Sequence, residues 1–154
     1  MANENKSKNE IVLTARSIYF NLPISTKKSV EICDFIRNKK LEDAKFFLGQ
    51  VINKKSAVPF KRYDMDLAHK TGISAGAYPI KAASYILKVL QNVEANAENK
   101  GLDRSNLKIS YLIANKGTKI FHSGRKLRRK MKRTHIEVRV EEIKESNKKH
   151  KNGK

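Results

Sequence analysis

The chain has 154 residues, a length that suits one domain, and its 34 Lys and Arg against 15 Asp and Glu give a formal net charge of +19. A charge this positive indicates a polyanionic partner, with nucleic acid ahead of an anionic membrane surface. Hydrophobic residues make up 39% of the sequence, which is enough for a modest core and excludes a fully disordered chain.

Residues 1–10 are polar, so we expect this segment to be disordered, and it has no apolar run typical of a secretory signal peptide. Cys33 is the only cysteine, which excludes an internal disulfide and a multi-cysteine zinc site. The longest uncharged runs, at 17–26 and 71–80, fall short of the ~20 apolar residues that a membrane span needs. These features predict a protein of a reducing, intracellular compartment.

The next part of the chain predicts one strand and two helices. Ile11–Phe20 is rich in apolar and aromatic residues, as strands are, and Pro23 ends it. Ser25 is a candidate helix N-cap, and apolar residues recur on one face from Thr26 to Arg37. A second helix is predicted from Leu41 to Ile52, and the short linker favours antiparallel packing of the two helices.

The segment Val58–Ile80 contains four residues that interrupt regular structure: Pro59, Gly72, Gly76 and Pro79. We therefore predict irregular structure here, with a flexible loop at Gly72–Gly76. Within it, Lys61 and Arg62 stand beside Tyr63, a combination that suits phosphate contact and base stacking.

The longest helix is predicted to start at Pro79, which fits a first helical position, and to stop before Gly101. Its apolar stripe consists of Ala83, Ile86, Leu87, Leu90, Val93 and Ala97. A stripe at this spacing is typical of core packing and not of a cofactor site.

Two strands are predicted to flank a long loop near the end of the chain. Apolar and polar residues alternate in both with period two, which places one face against a core. The residues on that face are Leu107, Ile109, Tyr111 and Ile113 in one strand and Thr134, Ile136, Val138 and Val140 in the other. From Ile113 to a tip near Gly124, an extended arm would span roughly 35 Å. Residues 144–154 are expected to form a disordered basic tail.

These elements predict an α+β fold, with a small three-stranded antiparallel sheet packed with three helices and a long protruding basic β-hairpin at about 107–141. The N-terminal strand is expected to join the sheet, because a two-stranded ribbon alone is marginal. We expect residues 11–143 to form this single domain, including the hairpin.

The stretch from Arg104 to Ile136 holds 11 Lys and Arg and no Asp or Glu. Like charges at this density repel one another unless something anionic neutralises them. A long structureless loop in a compact domain is also uncommon unless it has a function. The alternative is a solvated basic hairpin on a small domain.

No catalytic constellation can be assembled from the sequence. The four histidines fall in a loop, the basic loop, a strand and the tail, and they are His69, His122, His135 and His150. His122 and His135 can approach each other across the hairpin, but the basic stretch contains no carboxylate to orient either one. We predict no enzyme, no metal site and no cofactor.

Irregular RNA fits the basic loop best. Folded RNA is held through phosphates, 2′-hydroxyls and unstacked bases, and the loop interleaves charge with Phe121, His122 and Ser123. No helix carries a dense arginine face for a DNA major groove. Two alternatives stay open: a free-standing nucleic-acid binder such as an RNA chaperone, and a membrane-active protein, which would need a basic amphipathic helix.

Several motifs along the chain carry a further indication: Val58–Tyr63, Ala77–Ala83, Asn92–Glu98 with Lys100–Asp103, His122–Arg125 and His135–Val138. In this order they resemble the motifs of the ribosomal large-subunit protein twenty-two family, in its archaeal and eukaryotic branch. The similarity covers about residues 14–142. Several motifs that agree in order are far more specific than any one alone.

The resemblance implies a structural constituent of the large ribosomal subunit that binds ribosomal RNA, supports subunit assembly and lines the polypeptide exit tunnel with its hairpin tip. The expected partners are large-subunit ribosomal RNA, neighbouring ribosomal proteins and the nascent polypeptide, within the cytoplasmic ribosome and with no homo-oligomer. The expected RNA-binding residues are Lys61, Arg62, Tyr63, Lys81, Lys108, Lys116, Lys119, His122, Arg125, Lys126, Arg128, Arg129, Lys130, Lys132 and Arg133. The expected tunnel-tip residues are Ile120, Phe121, His122, Ser123, Gly124 and Arg125.

Overall fold

Strands from the two ends of the chain meet in one antiparallel sheet in the computed structural model, which describes residues 14–143. In chain order the elements are β1 (Thr14–Leu22), α1 (Thr26–Ile36), α2 (Leu41–Ile52), β2 (Val58–Pro59), β3 (His69–Lys70), β4 (Ile73–Ala77), α3 (Ile80–Asn99), β5 (Leu107–Lys116) and β6 (Thr134–Glu142). The main sheet has the order β1-β6-β5, so the predicted hairpin and the predicted third strand are confirmed.

The three helices pack on the main sheet and on one another. α3 contacts β1 and β6, α1 contacts β5, and α2 packs against α3. Ile136, Val138 and Val140 of β6 are fully buried in this layer, and burying each such side chain stabilises the fold by about 1.5–3 kcal/mol. The predicted α+β fold is confirmed.

A β-bulge in β5 changes which residues face the core. Ile109 is paired with Val140, but Tyr111 is already paired with Arg139, so Ser110 is the extra residue. A bulge shifts the alternation of side chains by one position. Leu112 and Ala114 are therefore buried, and the prediction that Tyr111 and Ile113 share the core face was wrong.

The end of α3 confirms Gly101 as the helix stop. Gly101 has a φ of +76°, a conformation that glycine adopts without strain. Its N–H donates to the carbonyl of Glu98, and the Leu102 N–H donates to the carbonyl of Ala97. This pair of bonds is a Schellman motif, and it turns the chain towards β5.

The segment Val58–Ile80 is more regular than predicted. β4 lies between β2 and β3 in a second small antiparallel sheet. Gly76 pairs with Pro59, and a Cβ at Gly76 would lie 2.6 Å from Cδ1 of Ile73. The prediction of irregular structure was wrong at these three strands, including the Gly72–Gly76 segment, where β4 forms, because strands of two to five residues are too short to show a periodic pattern.

The boundaries of β1 also differ from the prediction. The strand continues past Phe20 to Leu22, with an irregular register after Tyr19 and with Asn21 at a φ of +53°. Its predicted first residues, 11–13, lie outside the described residues. The segments predicted to be disordered, 1–10 and 144–154, lie outside them as well.

Candidate nucleic-acid interface

A buried carboxylate holds the loop that carries Lys61, Arg62 and Tyr63, here called the body loop. Glu31 of α1 is only 3% exposed, and its two oxygens accept the backbone N–H groups of all three loop residues at 2.7–3.0 Å. The loop therefore directs its amides inward, while the side chains of Lys61 and Arg62 are exposed. Hydrogen bonds to a charged acceptor are stronger than neutral ones, so the three bonds stabilise this conformation of the loop.

A basic groove lies between the start of α1 and the base of the hairpin, with a volume of about 750 Å³. Seven of its lining residues are Lys or Arg, and one is Asp: Lys27, Lys28, Arg62, Lys116, Lys119, Lys132, Arg133 and Asp64. The ring of Tyr63 also lines the groove, with the charged groups of Lys27 and Arg62 5.8 and 5.4 Å from its centroid. Predicted RNA-binding residues from the body loop and from the hairpin are thus brought together.

A smaller cleft of about 260 Å³ continues from the basic groove and shares Ser25, Lys28 and Lys132 with it. The exposed side chain of Lys81, at the start of α3, lines this cleft together with Tyr78. The predicted residue Lys81 therefore lies next to the other cations.

Beyond the main sheet, residues 117–133 form an irregular arm, here called the basic arm. The arm is closed by backbone bonds from Gly117 to Arg133, from Met131 to Ile120 and from His122 to Arg129. Its Lys and Arg residues from Lys119 to Lys132 are all exposed. Among residues 14–143, no ion pair involves any cation from Lys116 to Arg133.

The tip of the basic arm is a short 3₁₀ turn at Gly124–Lys126. Gly124 has a φ of +64°, which the absence of a Cβ permits. Three large apolar side chains are exposed near this turn, with exposed fractions of 49% for Ile120, 55% for Phe121 and 63% for Leu127. Lys130 lies 5.2 Å from the centroid of the Phe121 ring.

Two sets of predicted residues are not brought together. Lys108 lies at the opposite end of β5 from the groove and pairs in register with Glu141. His122 lies beside Arg129 in the arm, whereas Nδ1 of His135 accepts the backbone N–H of Asn21 at the base of the hairpin. The two histidines therefore do not approach each other.

Sequence reasoning missed Lys27 and Lys28 as groove residues and Glu31 as their neighbour on α1. The sequence did indicate a role for the two lysines outside helix stability. Positive charge in the first turn of a helix opposes the helix dipole and does not stabilise the helix. Ser25 precedes α1 as predicted, but its side chain makes no capping hydrogen bond. Glu31 had no comparable signal, since a glutamate in a helix is usually solvated.

The described residues show neither a metal-binding cluster nor a membrane-spanning helix. Residues 14–143 contain no group of three His, Cys, Asp or Glu side chains that could hold a metal ion. In the same part of the chain, no helix combines the length and the apolar character needed to cross a membrane.

Comparison with known proteins decides the family. Residues 17–141, which include the body loop, the groove and the whole basic arm, match the family model described as ribosomal protein L22p/L17e. The chain belongs to the L22p/L17e family. Large ribosomal subunit protein uL22 of Methanosphaera stadtmanae is 54% identical over 106 residues, which cover 67% of this chain and 69% of that protein. The uL22 protein of Ignicoccus hospitalis is 43% identical over 141 residues, with 84% and 89% covered.

Membership of the L22p/L17e family confirms the resemblance found in the sequence motifs, and these archaeal relatives confirm the branch. L22p/L17e proteins are ribosomal proteins. The prediction of a ribosomal structural protein and not an enzyme is therefore confirmed.

Proposed function

We propose that this chain is a structural constituent of the large ribosomal subunit in the cytoplasmic ribosome. In this proposal it binds ribosomal RNA through the body loop, the basic groove and the basic arm, and it supports subunit assembly. The tip of the arm lines the polypeptide exit tunnel and meets the nascent chain. The relatives' name, large ribosomal subunit protein, supports the first part.

The observation that carries the proposal is the unneutralised charge of the basic arm. Eight Lys and Arg residues occur in the arm, between positions 117 and 133, without an Asp or Glu. The arm buries little apolar surface, since every residue from 118 to 130 except His122 is exposed. Such an arm contributes repulsion and almost no core to the isolated domain, so its cations need phosphates around them.

The apolar side chains at the tip support the tunnel assignment. Ile120 and Phe121 interrupt the run of cations, and Leu127 adds a third exposed apolar side chain. Phosphate contact requires none of them. They suit a wall that faces a void or a passing polypeptide, while the cations on either side hold RNA.

Sedimentation tests the ribosomal role. The tagged chain should stay with large subunits through a moderate-salt wash, because many phosphate contacts hold it at once. A transient RNA chaperone, the runner-up, would leave the particle in the same wash. Release of the chain at moderate salt would therefore contradict the proposal.

A deletion variant tests the role of the arm's tip separately from the roles of the groove and the body loop. Replacing Phe121–Arg129 by a two-residue turn should leave the helices folded and still permit incorporation, since the groove and the body loop are intact. Crosslinking of a stalled nascent chain to the tunnel wall should change. An unchanged crosslinking pattern would remove the tunnel role and leave only RNA binding.

A further inference from the structure

The basic groove has a shape and chemistry that the basic arm lacks. It is concave, it is lined by seven cations and one carboxylate, and it contains an aromatic ring. We propose that the groove holds one unpaired nucleotide of an RNA strand, with its phosphate among the lysines and its base stacked on Tyr63. This inference deepens the proposed RNA binding and rests on it.

The positive charge of the groove favours the binding of an anion. Asp64 forms an ion pair with Lys27 at 3.3 Å, and among residues 14–143 it is the only acidic residue that lines the groove. An exposed pair of this kind contributes about 0–1 kcal/mol. Among the described residues, Lys28, Lys116 and Lys132 have no acidic partner within ion-pair distance. A phosphate between α1 and the hairpin would offset their mutual repulsion.

The size of the groove favours a nucleotide over a duplex. Its volume of about 750 Å³ falls within the range of about 300–1,000 Å³ typical of sites that enclose a single small ligand. A base-paired helix keeps its bases stacked inside and offers none to an aromatic ring, whereas loops and bulges do. The cations of the basic arm near its tip are exposed and suit contacts with backbone phosphates.

Tyr63 is positioned in advance for stacking. Its backbone N–H donates to the Glu31 carboxylate at 2.7 Å, so the main chain at Tyr63 is held by the core before any ligand arrives. Its ring is half-buried and lines the groove. Stacking of a base on such a ring contributes about 1–3 kcal/mol, and a main chain that is already held loses little further freedom on binding.

The RNA strand can continue from the groove into the smaller cleft. It shares Lys28 and Lys132 with the groove and adds Lys81. The next phosphate of the same strand can therefore lie towards α3, beside Lys81.

Binding of two RNA probes to the full-length chain tests the inference. The probes are an unpaired hexamer of uridines and a blunt RNA duplex with an equal number of phosphates. Tyr63→Ala should weaken binding of the hexamer about 5- to 150-fold, the equivalent of the stacking energy, and leave binding of the duplex unchanged. Tyr63→Phe should bind both probes as the parent chain does. Tyr111→Ala, which removes a tyrosine from the sheet, is the matched control and should alter neither.

A charge variant tests whether a phosphate of the RNA binds among the lysines of the groove. Lys28→Gln with Lys132→Gln should make hexamer binding less salt-dependent, with the log–log slope falling by about 1.4. The control pair, Lys55→Gln with Lys88→Gln, removes the same charge from exposed positions outside the groove and should leave the slope unchanged. Circular dichroism melting verifies that each variant is folded.

The outcomes separate the two proposals. If the parent chain binds both probes but Tyr63→Ala weakens both equally or neither, the nucleotide site is overturned while RNA binding stands. If the parent chain binds neither probe, the proposed function and the nucleotide site fail together.

Discussion

The Glu31 carboxylate accepts the backbone N–H of Tyr63 at 2.7 Å, and through the same group it holds Lys61 and Arg62 at 3.0 Å. A helix of the core thus fixes a loop whose side chains face the candidate RNA site. The negative charge is satisfied by amides and leaves the lysine and arginine of the loop available to a partner. Glu31 thus links the packing of the core to the loop of the candidate RNA site.

Glu31→Ala should lower the free energy of unfolding by about 2–3 kcal/mol, because three amides lose a charged acceptor. Urea denaturation measures this as a lower midpoint at an unchanged slope. Glu137→Ala is the control, since Glu137 pairs with Arg139 at the surface, and the expected change is below about 1 kcal/mol. Equal losses in the two variants would show that the carboxylate is not the anchor.

Substitution by alanine should change the stability of the fold in opposite directions at Gly49 and Gly117. Gly49 lies in α2 with open space around it, so Gly49→Ala should stabilise the fold by up to about 1 kcal/mol. Gly117 lies at the base of the arm, where a Cβ would come within 3.1 Å of Cβ of Arg133 and Oδ1 of Asn21. Gly117→Ala should destabilise by about 1–3 kcal/mol. Thermal melts of both variants measure the difference, and a stabilising Gly117→Ala would contradict the close packing.

The Cys33 thiol should be unreactive in the folded protein. The side chain is 1% exposed, and burial raises the pKa of Cys33 from 9.0 to about 12. Because the folded pKa lies above the unfolded one, this residue's contribution to stability is complete below pH 9 and is lost as the pH rises towards 12. Alkylation at pH 9 should be far slower without urea than with it. Comparable rates would mean that Cys33 is accessible.

RNA binding should weaken steeply as salt rises, since each neutralised phosphate releases counterion. Changing Arg125, Arg128 and Arg129 of the basic arm together to Ala should reduce the log–log slope by about two to three units on ribosomal RNA. Filter binding over a salt series gives the slope. If the slope did not change, the contact surface would lie elsewhere on the molecule.

The sequence predicted those parts of the fold that repeat over several turns or strands. The stripe of α3, the alternation in β6 and the glycine stop at Gly101 all have periodic or local causes. The bulge at Ser110 has no periodic or local signal in the sequence, because a single extra residue in β5 can be recognised only from the pairing with its partner strand. The small sheet of β2, β3 and β4 was missed for the same reason, since its pairing joins short segments that carry no pattern of their own.

The candidate site, like the fold, was predicted from the sequence only in part. Lys61, Arg62 and the cations of the basic arm were found from charge density, which the sequence displays directly. The groove itself depends on Lys27 and Lys28 of α1 facing Lys116 and Lys132 of the hairpin. That arrangement depends on how the helix packs against β5, which local sequence does not encode.

Photo-crosslinking from position 121 tests the central claim most directly. A photoreactive residue replaces Phe121 in large subunits that carry a stalled nascent chain, and the control replaces Lys55, an exposed residue after α2. We expect a crosslink to the nascent chain from position 121 and none from position 55. Absence of any nascent-chain crosslink from positions 120–129 in intact particles would contradict the tunnel role and leave the chain an RNA scaffold.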